Sequence, residues 1–132
     1  MKKNIILIAA AAILSSCKTL TLSDGAVDIL MRGAKTVTQV GAYEDAVHSY
    51  SRILFQYPDD DEVRLKRALI YYRTSYMQNA VDDISYLLKK NPDDKTLLLN
   101  RALVLTDMAD YDAALRDVEK ILQDNDRDAA AI

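Results

Sequence analysis

Glycine is scarce in this chain, three residues in 132, and proline scarcer at two. Sheet folds turn at almost every strand end and rely on such residues to do it. A chain this poor in both is expected to be all-α. Tryptophan is absent, and Cys, His and Phe occur once each. One Cys excludes an internal disulfide framework, and one Cys with one His leaves nothing for a Cys/His metal cage, so no metal site is expected. Positive charge is not in excess either, with 17 basic against 20 acidic side chains. Nucleic-acid binding needs a basic footprint that displaces counterions, so no nucleic-acid partner is expected. Gly-rich phosphate loops are missing, and His48 has no Ser, Cys or acid at a spacing that completes a nucleophilic site. It reads as a surface histidine, and an enzyme has no residue support. What remains is half apolar and 28% charged, an ordinary globular balance with length for one domain.

The chain opens with a positive Met1-Lys2-Lys3, followed after Asn4 by an unbroken apolar run from Ile5 to Leu14. A membrane-spanning helix needs roughly 20 apolar residues, so this run is too short to span and reads as the core of a secretory signal. Leu14-Ser15-Ser16-Cys17 resembles the lipobox of bacterial lipoproteins, with Leu three residues before the Cys and small residues between. Small residues let a peptidase seat the segment before a thiol that carries a diacylglyceryl group. The alternatives are a conventional signal, or a short buried helix ending in Cys. The resemblance implies a signal peptide over 1–16 and a lipidated Cys17 with a linker over 17–26. The covalent diacylglycerol and N-acyl chain on Cys17 would be the anchor, each buried methylene contributing about 0.8 kcal/mol, with no further cofactor. Lys18 stands where Asp favours inner-membrane retention. The expected location is therefore the cell envelope, lipid-anchored at the outer membrane and facing the periplasm.

Beyond residue 26 the sequence repeats. Ala34, Ala68 and Ala102 are 34 residues apart, as are Ala46, Ala80 and Ala114. Pro58 and Pro92 keep that spacing, with Asp126 in the third place. Tyr43, Met77 and Tyr111 form another column, as do Val47, Val81 and Leu115; Ile53, Leu87 and Ile121; and Leu54, Leu88 and Leu122. A fixed period without insertion predicts a stacked helical array. Within the second unit, Asp59 to Asp61 can cap a helix running to about Arg73, and Thr74-Ser75 turns the chain. A second helix runs from Met77 to Lys90, where Asn91-Pro92 stops it. The third unit repeats this from Asp93 to Gln123, turning near Ala109-Asp110. The first unit turns at Gly41-Ala42, and its opening helix, about Asp24 to Val40, contains the weak helix formers Thr36, Val37 and Thr38. Asp124-Asn125-Asp126-Arg127-Asp128 mimics the start of a calcium loop. Ala129 stands where that loop needs Gly, and no twelfth-place Glu follows, so the segment reads as a solvated inter-repeat turn.

Gly41-x-Tyr43-x-x-Ala46-Val47-x-x-Tyr50-x-x-Ile53-Leu54-x-x-x-Pro58 resembles the tetratricopeptide repeat. The family pattern has a small residue midway along the first helix, an aromatic early in the second, then Ala, a large apolar residue and a closing Pro. The resemblance implies a right-handed superhelical array of three helix-turn-helix units, at 27–60, 61–94 and 95–128, with a stub over 129–132. An unrelated helix bundle is the alternative. Arg67 and Arg101 depart from the pattern, standing where the family usually has Leu, and Asp126 replaces Pro.

In this family the first helices of successive units line a concave groove. The equivalent places here are Met31, Lys35 and Thr38; Leu65, Leu69 and Tyr72; and Leu99, Leu103 and Thr106. Relatives that grip a peptide carboxylate carry Lys and Asn at several of them. Four leucines here favour an apolar guest instead, each worth roughly 1.5–3 kcal/mol on burial. The same leucines could equally serve as packing between neighbouring repeats, and both readings stay open. After the third unit only 127–132 remain, too short to cover an apolar face of Leu115, Val118 and Leu122, so that end is expected to stack on another copy or on a larger partner. The function these readings imply is a lipid-anchored adaptor that binds a protein or peptide partner in the envelope. The alternative is an envelope binding protein for a lipid or other hydrophobic small molecule.

Overall fold

The computed structural model describes residues 21–130, with side chains as far as residue 124. The signal peptide expected over 1–16 and the lipidation expected at Cys17 lie outside the described residues. Six helices follow one another: α1 Asp24–Gln39, α2 Tyr43–Gln56, α3 Asp61–Arg73, α4 Met77–Lys90, α5 Lys95–Asp107 and α6 Tyr111–Ala130. Each packs on its neighbour in the chain, so the array is a row of hairpins, α1–α2, α3–α4 and α5–α6. The last three residues of the segment expected to be linker, 24–26, are the first turn of α1.

The same local chemistry starts and stops each unit. Ser23, Asp60 and Asp94 sit at the N-caps of α1, α3 and α5, where their side chains accept from the backbone N–H groups of Ala26, Val63 and Leu97. This satisfies donors that the first helical turn leaves open. Within each hairpin the chain reverses through a residue at positive φ: Gly41 at 83°, Ser75 at 64° and Ala109 at 61°. The N–H groups of Ala42, Tyr76 and Asp110 then reach back to the carbonyls of Val37, Tyr71 and Leu105. These are Schellman closures, and they recur every 34 residues. α1 runs on through Thr36 and Thr38, whose hydroxyls donate to the carbonyls of Arg32 and Ala34, while its buried face packs on α2.

Pro58 and Pro92 end α2 and α4, since a proline ring cannot continue the ladder. The turn expected at Asp124–Asp128 does not form. Asp126 occupies the proline column with an intact N–H and no ring, and α6 runs on through it to Ala130.

All six column alanines are buried, where paired helices cross at close range. Around them the core forms between units as well as within them. Val63 and Ile70 of α3 pack with Tyr50, Ile53 and Leu54 of α2, and Leu97, Leu98 and Val104 of α5 pack with Ile84, Leu87 and Leu88 of α4.

Arg67 and Arg101, which depart from the repeat pattern, are built in as clamps. Arg67 donates to both carboxylate oxygens of Asp83 at 2.8 Å and to the Ser51 hydroxyl at 3.0 Å. Arg101 makes the same bonds one unit on, to Asp117 at 2.7 and 2.6 Å and to Ser85 at 3.1 Å. Each therefore ties three successive helices. The carboxylate bonds hold both guanidiniums more firmly protonated than usual, against the opposing effect of burial. Asp83 also receives Arg64 at 3.2 Å, whose guanidinium lies 3.8 Å from the Tyr86 ring centroid.

Candidate partner-binding groove

α1, α3 and α5 carry the residues expected to line a groove, and the structure divides them. Leu69, Leu99 and Leu103 are 43%, 60% and 51% exposed and so form an open apolar track across α3 and α5. Lys35 and Thr106 are also exposed, and the Thr106 hydroxyl donates to the Ala102 carbonyl. Met31, Leu65 and Tyr72 are half-buried and pack against the cores of the first and second units. Thr38 is half-buried with its hydroxyl turned to the Ala34 carbonyl. Inter-repeat packing therefore accounts for Leu65, and an open face for Leu69, Leu99 and Leu103.

Tyr72 ties the two helices of this face together. Its hydroxyl donates to the Asp107 carboxylate at 2.5 Å, bridging α3 to α5 at one end of the track. That bond, with a smaller contribution from desolvation, raises the Tyr72 pKa above the usual phenol value. At the other end a cleft of about 340 Å³ opens beside Leu65, floored by Leu87 and Leu97 and rimmed by Asp61, Glu62 and Asp94. Each rim carboxylate already has a partner: Lys90 for Asp61, Lys66 for Glu62 and the Leu97 N–H for Asp94. The rim is thus polar and hydrogen-bonded, with Asp61 and Glu62 facing lysines and Asp94 held by a backbone N–H, while the floor of the cleft is apolar.

His48 is exposed on α2, away from these residues. Among the described residues no three His, Cys, Asp or Glu side chains gather to hold a metal ion. No helix there is long and apolar enough to cross a membrane. The Arg clamps are the feature that the repeat pattern alone did not single out. The signal for them was present, because Arg67 to Asp83 and Arg101 to Asp117 share one separation and lie one period apart.

No protein-family model matches the sequence, and no curated protein matches it. Solved structures do match. A tetratricopeptide repeat protein from Parabacteroides merdae is 22% identical with a TM-score of 0.71, over 95% of this chain and 49% of that one. This chain therefore spans about half the length of that protein. MamA is 16% identical with a TM-score of 0.69, over 83% of this chain and 58% of its own. The second tetratricopeptide repeat domain of Spaghetti (RPAP3), solved bound to the HSP90 peptide SRMEEVD, is 18% identical with a TM-score of 0.63, over 74% of this chain and 90% of that one. With its hairpins, columns and closures, this chain has the fold of the tetratricopeptide repeat proteins, a solenoid of three helix-turn-helix repeats.

Proposed function

We propose that this chain is a lipid-anchored adaptor of the bacterial cell envelope, holding a protein or peptide partner against its concave face. The observation that carries the binding role is the exposed track of Leu69, Leu99 and Leu103 on successive first helices. Each leucine exposes side-chain surface that a guest can cover, at roughly 25 cal/mol per Å² of apolar area removed from water. The Spaghetti (RPAP3) domain, which shares the fold, was solved with a bound peptide. A peptide is therefore the kind of guest favoured here. A terminal carboxylate is not the favoured end of that guest, because leucines stand at four of the groove places, Leu65, Leu69, Leu99 and Leu103, and Lys66 of α3 is engaged by Glu62.

The anchor rests on Lys2, Lys3, the ten-residue apolar run and Leu14-Ser15-Ser16-Cys17. An acyl chain on Cys17 would place the array at the membrane surface, with Leu22 tied to Gln56 of α2 through its backbone N–H and carbonyl. Two measurements test the two halves. Fatty-acid labelling of the wild-type chain should be strong and should vanish in Cys17→Ala, and full incorporation in that variant would overturn the anchor. Native mass spectrometry of material captured from solubilised envelopes should show a bound polypeptide. Stoichiometric lipid in its place would move the assignment to a carrier of hydrophobic small molecules.

A further inference from the structure

The interface between neighbouring units occurs twice inside the array, and both of its halves recur, uncovered, on α6 and α1. In the two internal copies, residues of α2 and α4 meet residues of α3 and α5. Tyr50 and Leu54 on α2, and Ile84 and Leu88 on α4, are all buried there. One period on, the same places on α6 are Val118 and Leu122, which are 37% and 56% exposed, and Leu115 beside them is exposed as well. The opposite half behaves in the same way. Val63 of α3 and Leu97 of α5 are buried against the preceding hairpin, whereas Ile29, in that column on α1, is 65% exposed.

We propose that α6 of one copy docks on α1 of a second copy, head to tail, continuing the stacking geometry of α2 on α3 and α4 on α5. The occupant is a second copy because this chain itself displays the complementary half, in the register that already pairs twice. A face that a foreign helix covers would require no matching exposure on α1. The residues also set the strength of the contact. Gly33 stands in the column of Arg67 and Arg101, and Thr36 in that of Ile70 and Val104, so the contact lacks both the clamp and one apolar residue. Such an interface is weaker than the internal ones, and association is reversible and concentration-dependent. It is also heterologous, each copy offering two different faces, so each added chain leaves one face of each kind at the ends unless the rotation per step closes a ring.

That asymmetry supplies the test. Sedimentation of the full chain in detergent, across a concentration series, should show a mass that rises with concentration. Ile29→Glu blocks one face and Leu115→Glu the other, and both positions are exposed, so each variant should keep its helical circular-dichroism signal. Each alone should remain monomeric. Mixed, they should form a one-to-one dimer and nothing larger, because each still carries the face that the other lost. Should either variant lose its helical signal, Thr36→Glu and Leu122→Lys take their places. A wild-type chain that stays monomeric throughout overturns the proposal. So does a single variant that associates by itself, which would mean a face-to-same-face contact, and so does a mixture that remains monomeric.

Discussion

The Arg101 clamp makes the sharpest stability prediction. Asp117 is buried, and among the described residues Arg101 is the cation that pairs with it, through two bonds at 2.6 and 2.7 Å. Arg101→Met removes those bonds and leaves a carboxylate with no compensating charge. Breaking a buried pair from one side costs about 3–5 kcal/mol. The Arg101 side chain is a quarter exposed, so water screens part of the loss, and about 3 kcal/mol is the expected cost. Arg67→Met is the internal control. It breaks the same bonds one unit earlier, but Asp83 keeps Arg64 at 3.2 Å, and the cost should fall to about 1.5–2 kcal/mol, the lower end of the range for a hydrogen bond to a charged group. Arg101→Leu combined with Asp117→Leu removes both charges and restores the residue type the repeat pattern has at the first place. It should lie within about 1 kcal/mol of wild type, because apolar replacement of a whole buried pair is close to neutral. Urea unfolding followed by circular dichroism reads all three. With a slope of about 1.5 kcal/mol per molar, Arg101→Met should lower the midpoint by about 2 M. Equal damage from Arg67→Met and Arg101→Met, or a double variant no better than Arg101→Met alone, would refute the clamp.

Other expectations follow from particular residues. Ser75→Gly and Ala109→Gly should each stabilise by up to about 1 kcal/mol, since both residues hold a positive φ that penalises a Cβ; thermal midpoints that fall in both variants would refute this. Ala80→Leu should cost roughly 1–3 kcal/mol by overpacking the crossing of α3 and α4, while the exposed Gln78→Ala changes stability by less than about 0.5 kcal/mol; equal urea midpoints would refute the column assignment. The Asp59 carboxyl is held below its ordinary value first by a hydrogen bond from Lys90 and then by one from Tyr86, so what it contributes to stability is present above the unfolded pKa and is lost as pH falls through the lower folded one. In Lys90→Met the Asp59 titration followed by NMR should move upward toward the ordinary carboxylate range, and an unmoved curve would show that the pairing has no effect.

Helix ends were legible wherever a residue dictates backbone geometry. The prolines at 58 and 92 and the capping acids at 60 and 94 act locally, so their effects survive without tertiary information. The register was legible because a column of alanines records a crossing too close for larger side chains. Two features were harder to see. Arg67 and Arg101 looked like departures when read singly, and only their pairing with Asp83 and Asp117 across a helix crossing gives them meaning. The extension of α6 turned on an absence, since an Asp in a proline column permits a helix without demanding one. Exposure along the groove was legible only in part. Leu65 and Leu69 lie one helical turn apart on α3, and only the packing of α5 decides that the first is half-buried and the second open.

Under the proposed function, Leu69 and Leu103, exposed at equivalent places on α3 and α5, seat an apolar guest. The deciding experiment replaces either with Glu and reads circular dichroism and capture from solubilised envelopes on the same two proteins. An exposed position tolerates the charge, so both variants should stay folded, with the helical signal and most of the stability retained. The guest should be lost, because seating it would desolvate an unpaired carboxylate at a cost of several kcal/mol. Folded variants that capture the partner as well as wild type does would contradict the groove, and variants that unfold would show these leucines to be core.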